Sequence, residues 1–401
     1  MTQRALVTGG ADGIGWAICK RLAAAGLRCA IADIDEAKAI SRAEELGEGH
    51  LALAVDLRDV EQAHALPARA QAALGGLDII INNAGIIDNA GVTIPEADGA
   101  KFDALVAVNL ESVTAICRTG AEVIGPGGRI VNLASGAAFR PLPLRGPYSA
   151  TKAAVVALTR ALARAWPEGP FIAAVAPGYI RTPLVEDLIA LGRMDPVAVE
   201  RGIPAGRLGR PDDIAAAVAF LATADSAVLA GHVLSVDGGV LAAAGAGYDH
   251  QEDAEPGTEA ALVIGQGELA QELEQALAGA TRQGLGDDLT FPARGPVVVI
   301  PDATTTLADL LQLERRRAAA GASGPMLFLC TEARDVSPEI SARNRAFGMF
   351  ARTRALEVAP RRERINAAIL PEGARAADLV RFLVSPDADY IQAQAFDLTE
   401  A

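Results

Sequence analysis

The chain has 401 residues, of which 51% are hydrophobic and 21% are charged, and its formal net charge at pH 7 is −14. This length favours two folded domains over one, and the composition excludes a disordered chain. The acidic balance argues against a nucleic-acid or anionic-membrane partner, because both require clustered Lys and Arg.

Neither the cysteines nor the first residues of the sequence indicate an exported or metal-binding protein. The four cysteines are scattered, without the spacing of a zinc site or a disulfide framework. The sequence starts directly with a strand-like segment, and no apolar run reaches the length of a membrane span. We therefore expect a cytoplasmic protein without a bound metal.

Short β-branched segments alternate with alanine-rich helical segments through the first 247 residues. The first helix, for example, carries Ile14, Ile18 and Leu22 on one face. This alternation predicts an α/β fold of the Rossmann type, a doubly wound parallel sheet covered by helices on both faces. The predicted strands are Ala5–Thr8, Cys29–Ala32, Leu51–Asp56, Asp78–Asn82, Arg129–Leu133 and Ile172–Ala176.

A second α/β pattern follows a stretch of small and acidic residues. We predict a linker at 248–259 between a first domain at 1–247 and a second domain at 260–401. The second domain is expected to be a smaller, truncated Rossmann-like unit. Its predicted elements are the strands Ala261–Ile264, Pro296–Ile300 and Met326–Cys330 and the helix Leu269–Leu277.

The two halves contain a degraded internal repeat. The segment 159–162 (TRAL) recurs at 353–356, 172–178 (IAAVAPG) resembles 365–373 (INAAILPEG), and 218–237 resembles 380–397. Chance similarity between alanine-rich helices could explain one match. It is a poor explanation for three matches in the same order, so we expect related domains.

A glycine-rich turn, TGGADGIG at residues 8–15, joins the first predicted strand to the first helix. Glycines there allow a dinucleotide pyrophosphate to approach the backbone at a helix N-terminus. An ordinary strand-to-helix turn is the alternative, since the chain contains 40 glycines. The position at the first strand–helix junction favours the cofactor interpretation.

Asp33 ends the second predicted strand, from which a carboxylate can hold the adenine-ribose hydroxyls and repel the extra phosphate of NADP. Neither Ala11 nor Asp12 supplies a cation for that phosphate. The sequence therefore favours NAD over NADP, and a surface turn residue is the alternative interpretation of Asp33.

Tyr148 and Lys152 are four residues apart in a predicted helix and project from one face. A lysine ammonium beside a phenol, together with a positive nicotinamide, is expected to lower the phenol pKa from about 10 toward working pH, which suits general acid/base catalysis. Ser135 follows an apolar strand at the edge where such folds bind ligands, and it could hydrogen-bond a substrate oxygen. Taken singly, each has an ordinary structural explanation; the combination indicates catalysis.

These motifs, with NNAG at 82–85, Asn109, PG at 177–178 and DGG at 237–239, resemble the short-chain dehydrogenase/reductase family over residues 1 to about 245. The resemblance implies a catalytic tetrad, in which Asn109 orders a proton-relay water and Lys152 also binds the nicotinamide ribose. The implied tetrad is Asn109, Ser135, Tyr148 and Lys152. The implied cofactor-binding residues, besides Tyr148 and Lys152, are Gly9, Asp12, Gly13, Ile14, Gly15, Asp33, Asp56, Leu57, Asn83, Ala84, Gly85, Pro177, Gly178, Ile180 and Thr182.

The second half departs from this pattern. Alignment of the TRAL segments places Ala342 opposite Tyr148 and Ala346 opposite Lys152, and a separate strand alignment places Thr331 opposite Ser135. Too few residues lie between 279 and 296 to supply the missing strand–helix units. We therefore expect a non-catalytic relative of the first domain.

The sequence thus predicts an NAD-dependent oxidoreductase that interconverts a secondary alcohol and a ketone. A 3-oxoacyl chain reductase and a non-catalytic cofactor-binding scaffold are the alternatives. The substrate is expected to be a small molecule held by the loops 86–93, 136–145 and 183–204. Arg145 is a candidate for contacting an anionic substrate group, and a solvent-exposed arginine is the alternative interpretation. Family tetramers use a paired-helix face and an edge formed by the last helix and strand, so a homodimer that imitates such a tetramer is expected.

Overall fold

The structure is a computed structural model that describes residues 2–87, 91–243, 245–250, 259–286 and 288–399, without the side chain of Leu184. The predicted linker at 248–259 lies mostly outside these residues. The described chain forms two all-parallel sheets of seven and six strands, each with helices on its faces, which confirms the predicted α/β class and the second, smaller domain.

The first sheet has the strand order β3-β2-β1-β4-β5-β6-β7, typical of a doubly wound fold. Its strands are β1 (Arg4–Thr8), β2 (Arg28–Asp33), β3 (Leu51–Ala54), β4 (Ile79–Asn82), β5 (Arg129–Leu133), β6 (Phe171–Pro177) and β7 (Val233–Val236). The helices are α1 (Gly13–Ala24), α2 (Glu36–Leu46), α3 (Val60–Leu74), α4 (Gly99–Val106), α5 (Ser112–Ile124), α6 (Tyr148–Ala165), α7 (Pro183–Ala190), α8 (Pro196–Arg201) and α9 (Pro211–Thr223). A π-helical turn, Ala107–Glu111, joins α4 to α5.

The second sheet has the order β13-β12-β11-β10-β8-β9. Its strands are β8 (Leu262–Ile264), β9 (Thr281–Gln283), β10 (Val297–Val299), β11 (Met326–Glu332), β12 (Ile365–Pro371) and β13 (Ala395–Asp397). The helices are α10 (Glu268–Ala276), α11 (Leu307–Ala319), α12 (Pro338–Val358) and α13 (Ala377–Val384).

The two sheets share one topology. Read from the last strand inward, β7-β6-β5-β4-β1-β2 of the first sheet corresponds to β13-β12-β11-β10-β8-β9 of the second. The described part of the second domain contains no counterpart of β3. The range 279–296 contains one strand that was not predicted, β9, which pairs with β8, and no helix follows it among the described residues before β10.

The first-domain strands lie where the sequence predicts them, with small shifts at their ends. The bounds of β5 are as predicted, and β6 gains a residue at each end. By contrast, β3 ends at Ala54 rather than at Asp56. The chain turns there because the Asp56 amide donates to Gln62 Oε1 and the Asp56 carboxylate accepts from the Arg58 amide.

The domains pack against each other along a surface that we call the seam, formed by α9 and β7 on one side and α13 and β13 on the other. Phe220 and Phe382 stack across it with ring centroids 4.3 Å apart. One continuous apolar core contains buried residues from both domains. This is the edge formed by the last helix and strand of each repeat, so the second domain covers that edge of the first.

Tyr390 is the largest side chain inserted at the seam. It is 1% exposed, and its hydroxyl donates to the carbonyl oxygens of Tyr179 and Arg207 at 3.4 and 3.3 Å. Its ring packs on Gly238, whose φ is +66° and where a Cβ would lie 2.7 Å from the ring. Glycine at this position is therefore required both by the backbone and by the neighbouring domain.

Candidate active site

Ser135, Tyr148 and Lys152 meet at the carboxyl end of β5. Ser135 follows that strand directly, and its hydroxyl interacts with the Tyr148 phenol and accepts from the Ala137 amide at 3.1 Å. Lys152 lies one turn beyond Tyr148 on α6, and its Nζ is 5.9 Å from the Tyr148 ring centroid. The arrangement places a hydroxyl, a phenol and an ammonium around one point at the sheet edge.

Burial is the largest influence on the pKa values of Tyr148 and Lys152. Burial raises the pKa of Tyr148, and the hydrogen bond from Ser135 offsets this only in part. Burial also lowers the pKa of Lys152 to about 8, and its Nζ donates to the Leu133 carbonyl oxygen at 2.9 Å. In the chain by itself, burial therefore outweighs the Ser135 hydrogen bond, and the predicted lowering of the Tyr148 pKa by Lys152 together with a positive nicotinamide stays a prediction.

Asn109 is buried in the π-helical turn between α4 and α5, a local irregularity that often marks functional sites. Its Oδ1 accepts from the Ile86 amide at 2.8 Å, and its Nδ2 donates to the Ile86 carbonyl oxygen at 2.9 Å. A Cβ at Gly85 would lie 3.3 Å from both Asn109 Oδ1 and Lys152 Nζ. Because Gly85 has no side chain, room remains beside Asn109 and Lys152, two residues of the predicted tetrad.

The glycine turn after β1 is packed closely against the loop after β4. A Cβ at Gly15 would lie 1.9 Å from the Gly9 carbonyl oxygen, and a Cβ at Gly9 would lie 2.9 Å from the Ala84 Cα. Asn83 holds the turn from the other side, because its Nδ2 donates to the carbonyl oxygens of Thr8 and Gly9. Only glycine fits at these two positions of the turn.

The N-terminus of α1 faces the segment that follows β6. Asp12 caps this helix by accepting from the Gly13 amide at 2.8 Å, and Ile14 begins its apolar face. A Cβ at Gly13 would still be 3.8 Å from the nearest atoms of Thr182 and Pro183. A Cβ at this position would be in ordinary van der Waals contact, so the helix N-terminus lies close to Thr182.

Asp33 ends β2 beside the glycine turn, as predicted. Its Oδ2 accepts from the Ala11 amide at 3.0 Å and its Oδ1 from the Asp35 amide at 3.1 Å. Two cations that the sequence interpretation missed come from α2: Lys38 pairs with Asp12, and Arg42 lies over the Trp16 ring. Helical spacing from Asp35, the cap of α2, could have indicated them.

The other predicted cofactor residues lie along the same edge of the sheet. Asp56 and Leu57 follow β3, and the Asp56 carboxylate pairs with Arg58, which holds the pKa of that carboxyl below its usual range. Pro177 ends β6 and Gly178 follows it, and a Cβ at Gly178 would lie 2.7 Å from the Asp237 Cα.

Beyond Gly178, two further predicted residues are held in place by backbone contacts. Ile180 is buried and forms a bridge with Gly209. Thr182 caps α7 by accepting from the Val185 amide at 3.4 Å. Ile180 and Thr182 thus flank the point at which the chain turns into α7.

Arg145 precedes α6, and its carbonyl oxygen accepts from the Tyr148 amide at 3.1 Å. The residue is half-buried, and its side chain has a partner within the chain. Of the predicted substrate loops, 88–90 lie outside the described residues. The loop 136–145 is fully described and begins immediately after Ser135.

The corresponding edge of the second domain is filled by ion pairs. Strand register places Thr331 opposite Ser135, since Ile130 pairs with Ile172 as Met326 pairs with Ile365. Next to Thr331, the Glu332 carboxylate accepts from Arg345 at 3.1 Å, and Arg345 also pairs with Asp397 at 2.7 Å. No phenol and ammonium pair occupies the described helix α12 at the aligned positions, which hold Ala342 and Ala346.

A dinucleotide fits the first-domain residues on structural grounds. The glycine turn excludes side chains, the α1 N-terminus supplies amide donors for a pyrophosphate, and Asp33 lies at the end of the adjacent strand. Among the described residues, no group of three or more His, Cys, Asp and Glu side chains could hold a metal ion. Within the same residues, no helix has both the length and the apolar character needed to cross a membrane.

Comparison with known proteins identifies the family. The family model described as "Enoyl-(Acyl carrier protein) reductase" matches residues 9–241. An uncharacterized short-chain type dehydrogenase/reductase of Sinorhizobium fredii is 36% identical over 301 residues, which cover 74% of this chain but only 54% of that protein. The 2-dehydro-3-deoxy-D-gluconate 5-dehydrogenase of Dickeya dadantii is 36% identical over 244 residues, covering 59% of this chain and 95% of the relative.

Solved structures agree with this assignment. A 3-ketoacyl-(acyl-carrier-protein) reductase from Brucella melitensis, complexed with NADH, has a TM-score of 0.54 at 34% identity and covers 60% of this chain and 98% of its own. A short chain dehydrogenase from Burkholderia cenocepacia, in complex with NADP, has a TM-score of 0.53 at 33% identity, with 59% and 96% coverage. The site geometry and these similarities lead to one conclusion: the chain belongs to the short-chain dehydrogenase/reductase family of oxidoreductases.

Proposed function

We propose that the first domain is an NAD-dependent oxidoreductase that interconverts a secondary alcohol and a ketone, with Tyr148 as the general acid/base. The observation that carries this proposal is the meeting of Ser135, Tyr148 and Lys152 beside a turn that only glycine can form. The second domain contributes no chemistry, because its equivalent edge is closed by the Glu332–Arg345–Asp397 ion pairs. One cofactor is therefore expected per chain.

Each residue has a separate role. Ser135 donates a hydrogen bond to the substrate oxygen, and Tyr148 exchanges the proton of that oxygen. Lys152 supplies positive charge near the phenol, which favours the phenolate. Asn109 holds the Ile86 backbone and so fixes the cleft wall beside Lys152. When bound, NAD would supply the acceptor for the hydride that leaves the substrate carbinol carbon.

The preference for NAD depends on Asp33. Its carboxylate lies at the end of β2, where it would accept from ribose hydroxyls and repel a ribose phosphate. Lys38 could in principle offset that repulsion, but its ammonium is paired with Asp12. Because related structures contain NADH in one case and NADP in another, cofactor choice is a direct test of the role of Asp33.

The proposal is tested by the variant Tyr148→Phe, with Tyr179→Phe as a matched control. Tyr179 is 39% exposed, and only its backbone forms described hydrogen bonds to neighbouring residues. We expect Tyr148→Phe to bind NAD like the parent and to lose nearly all turnover, and Tyr179→Phe to retain turnover. Turnover of Tyr148→Phe within a few-fold of the parent would show that the tetrad assignment is wrong.

The substrate panel for this experiment should separate the alternatives. Sugars, hydroxy acids, hydroxysteroids and 3-oxoacyl thioesters cover the candidate substrates, including the 3-oxoacyl reductase reaction. We propose that Arg145 contacts an anionic substrate group, so Arg145→Ala should raise KM for acidic substrates and leave KM for neutral ones unchanged. NAD binding without turnover on any of these substrates would instead support a non-catalytic scaffold.

We also propose a homodimer whose four domains imitate a family tetramer. The seam already covers one edge of the first domain within the chain. The paired-helix face of such a tetramer includes α6, which carries Tyr148, and its counterpart in the second domain is α12. Large apolar side chains are exposed on α12 and on the helices next to α6 and α12: Phe102 of α4 by 37%, Leu311 of α11 by 43% and Met349 of α12 by 57%. Burial of these side chains against a second copy of the chain is favourable, at about 25 cal/mol per Å² of apolar surface removed from water.

A further inference from the structure

A polar recess of about 1000 Å³ lies at the seam, outside the site described above. First-domain residues from the loop after Ser135, from α6 and from β7 line one side of it, and residues of α12 and β13 line the other. Its volume is at the upper end of the range found for small-molecule sites. The recess exists only because the two domains are joined.

Four arginines face this recess: Arg140 of the loop, Arg160 and Arg164 of α6, and Arg352 of α12. None of them forms a side-chain hydrogen bond or ion pair with another described residue. Most other arginines whose contacts are described are paired with carboxylates, such as Arg207 with Asp213 and Arg317 with Glu363. Arg140, Arg160 and Arg164 are exposed and Arg352 is half-buried, so what distinguishes them is their grouping at one recess of a chain with 50 Asp and Glu residues against 36 Lys and Arg.

The acidic side chains near the recess already form contacts within the chain. Asp397 lines it, but its carboxylate pairs with Arg345 and accepts from Thr399. The buried Asp237 carboxylate accepts from the amides of Gly239 and Leu241 and from Gln394 Nε2. Four guanidinium groups therefore face the recess, and among these acidic groups only the Asp237 carboxylate, which interacts electrostatically with Arg352, lacks a described ion-pair partner.

His232 adds a second, independent observation. Its Nε2 atom is buried and has no hydrogen-bond partner among the described residues, which is unusual for a buried nitrogen. The pKa of His232 is lowered, first by burial and then by the charge of Arg160. His232 also lines the recess, so its ring lies beside the arginine cluster.

We infer that the seam recess binds a small polyanion, held by guanidinium groups from both domains. Arginine suits phosphate because its planar fork forms two parallel charge-assisted hydrogen bonds to the oxygens. Arg160 and Arg164 are one turn apart on α6, while Arg352 comes from the other domain, so a molecule with several anionic groups can contact all three. Occupation would bridge the domains.

The recess also touches the active-site loop. Phe139 and Arg140 line it and lie four and five residues after Ser135, and both amides donate to the Gly136 carbonyl oxygen at 3.1 Å. A bound polyanion would hold this loop against β13 of the second domain. Hydrogen exchange at the amides of residues 139 and 140 should therefore slow when the recess is occupied.

The test is calorimetric titration of the intact chain at low salt with tripolyphosphate and, separately, with citrate, so that phosphate and carboxylate polyanions are distinguished. The double variant Arg164→Ala/Arg352→Ala should weaken binding about a hundredfold, at roughly tenfold for each lost charged hydrogen-bonding group. The matched control Arg315→Ala/Arg334→Ala removes two exposed arginines elsewhere and should change the Kd by less than about twofold.

Three results would overturn the inference. Binding that is equal in the parent and the seam double variant would place the anion elsewhere, for example at the α1 N-terminus. Protection from exchange at residues 9–15 instead of 139–140 would do the same. If neither polyanion binds the parent and light scattering shows that only the seam double variant loses a dimer, the arginines belong to a subunit interface.

Discussion

Replacement of Phe382 by alanine tests whether the seam makes the two domains one folding unit. Phe382 of α13 stacks face to face on Phe220 of α9 at an interplanar angle of 3°, and both rings are less than 10% exposed. Their neighbours in the continuous core include Leu221 of the first domain and Leu383 of the second. Removal of either ring therefore leaves a cavity bounded by both domains.

The magnitude follows from the burial of the ring. Truncation of a buried phenylalanine costs about 3–5 kcal/mol, because transfer free energy is lost and a cavity remains. A stacked aromatic pair adds about 0.5–1.5 kcal/mol beyond its buried area. Because the measured cost of truncation already includes lost stacking, we expect Phe382→Ala to lower the free energy of unfolding by about 3–5 kcal/mol. A cycle with Phe220→Ala should give a coupling energy of about 1 kcal/mol.

Urea unfolding of the parent, both single variants and the double variant, followed by circular dichroism and by tryptophan fluorescence, measures these values. Phe328→Ala is a matched control, since Phe328 is 1% exposed in the core of the second domain but does not contact Phe220. Its coupling with Phe220→Ala should be close to zero. Two separate transitions, with Phe382→Ala moving only one, would refute a shared folding unit.

Three further predictions concern the active site, the cofactor and assembly. Because burial lowers the Lys152 pKa from 10.5 to about 8, the unfolded chain binds more protons between these values, so the folded chain is destabilised below pH 8 and recovers stability as pH rises toward 10.5. Lys152→Met should therefore raise the free energy of unfolding at pH 7 by about 2–3 kcal/mol, with no such gain at pH 10.5; equal effects at both pH values would contradict this. Replacing Asp33 by serine and Ile34 by arginine should shift the ratio of kcat/KM values from NAD toward NADP, and a parent enzyme that already prefers NADP would show that Asp33 has been misinterpreted. Met349→Glu should reduce the mass measured by light scattering from dimer to monomer; a monomeric parent would disprove the proposed dimer.

Local periodicity was sufficient to predict the sheet edge that carries the site. Ser135 could be placed because β5 is a short apolar strand with a clear end, and Tyr148 and Lys152 because their spacing matches one helical turn. For the seam, the sequence predicted only that the last helix and strand of each domain form an interface. That Tyr390 would insert against Gly238, and that Gln394 would contact Asp237, depends on the docking of two domains, which no local pattern encodes.

Two other features escaped prediction for separate physical reasons. The strand β9 has only three residues, too few for a hydrophobic period to be recognised. The prediction for the Tyr148 pKa considered Lys152 and a positive nicotinamide, but it did not include the burial of the phenol, which only the folded chain reveals. Sequence spacing indicates which groups are near each other, and it says little about how much water they lose.

A seam within one chain does not dissociate on dilution. Two separate subunits joined through their last helices and strands would part as their concentration falls, whereas α9 and α13 are held at a high effective concentration by the covalent connection between them. The Tyr390 insertion and the Phe220–Phe382 stack are therefore expected to persist at nanomolar protein concentration, as long as the chain stays folded. Such a protein should remain intact at low abundance in a cell.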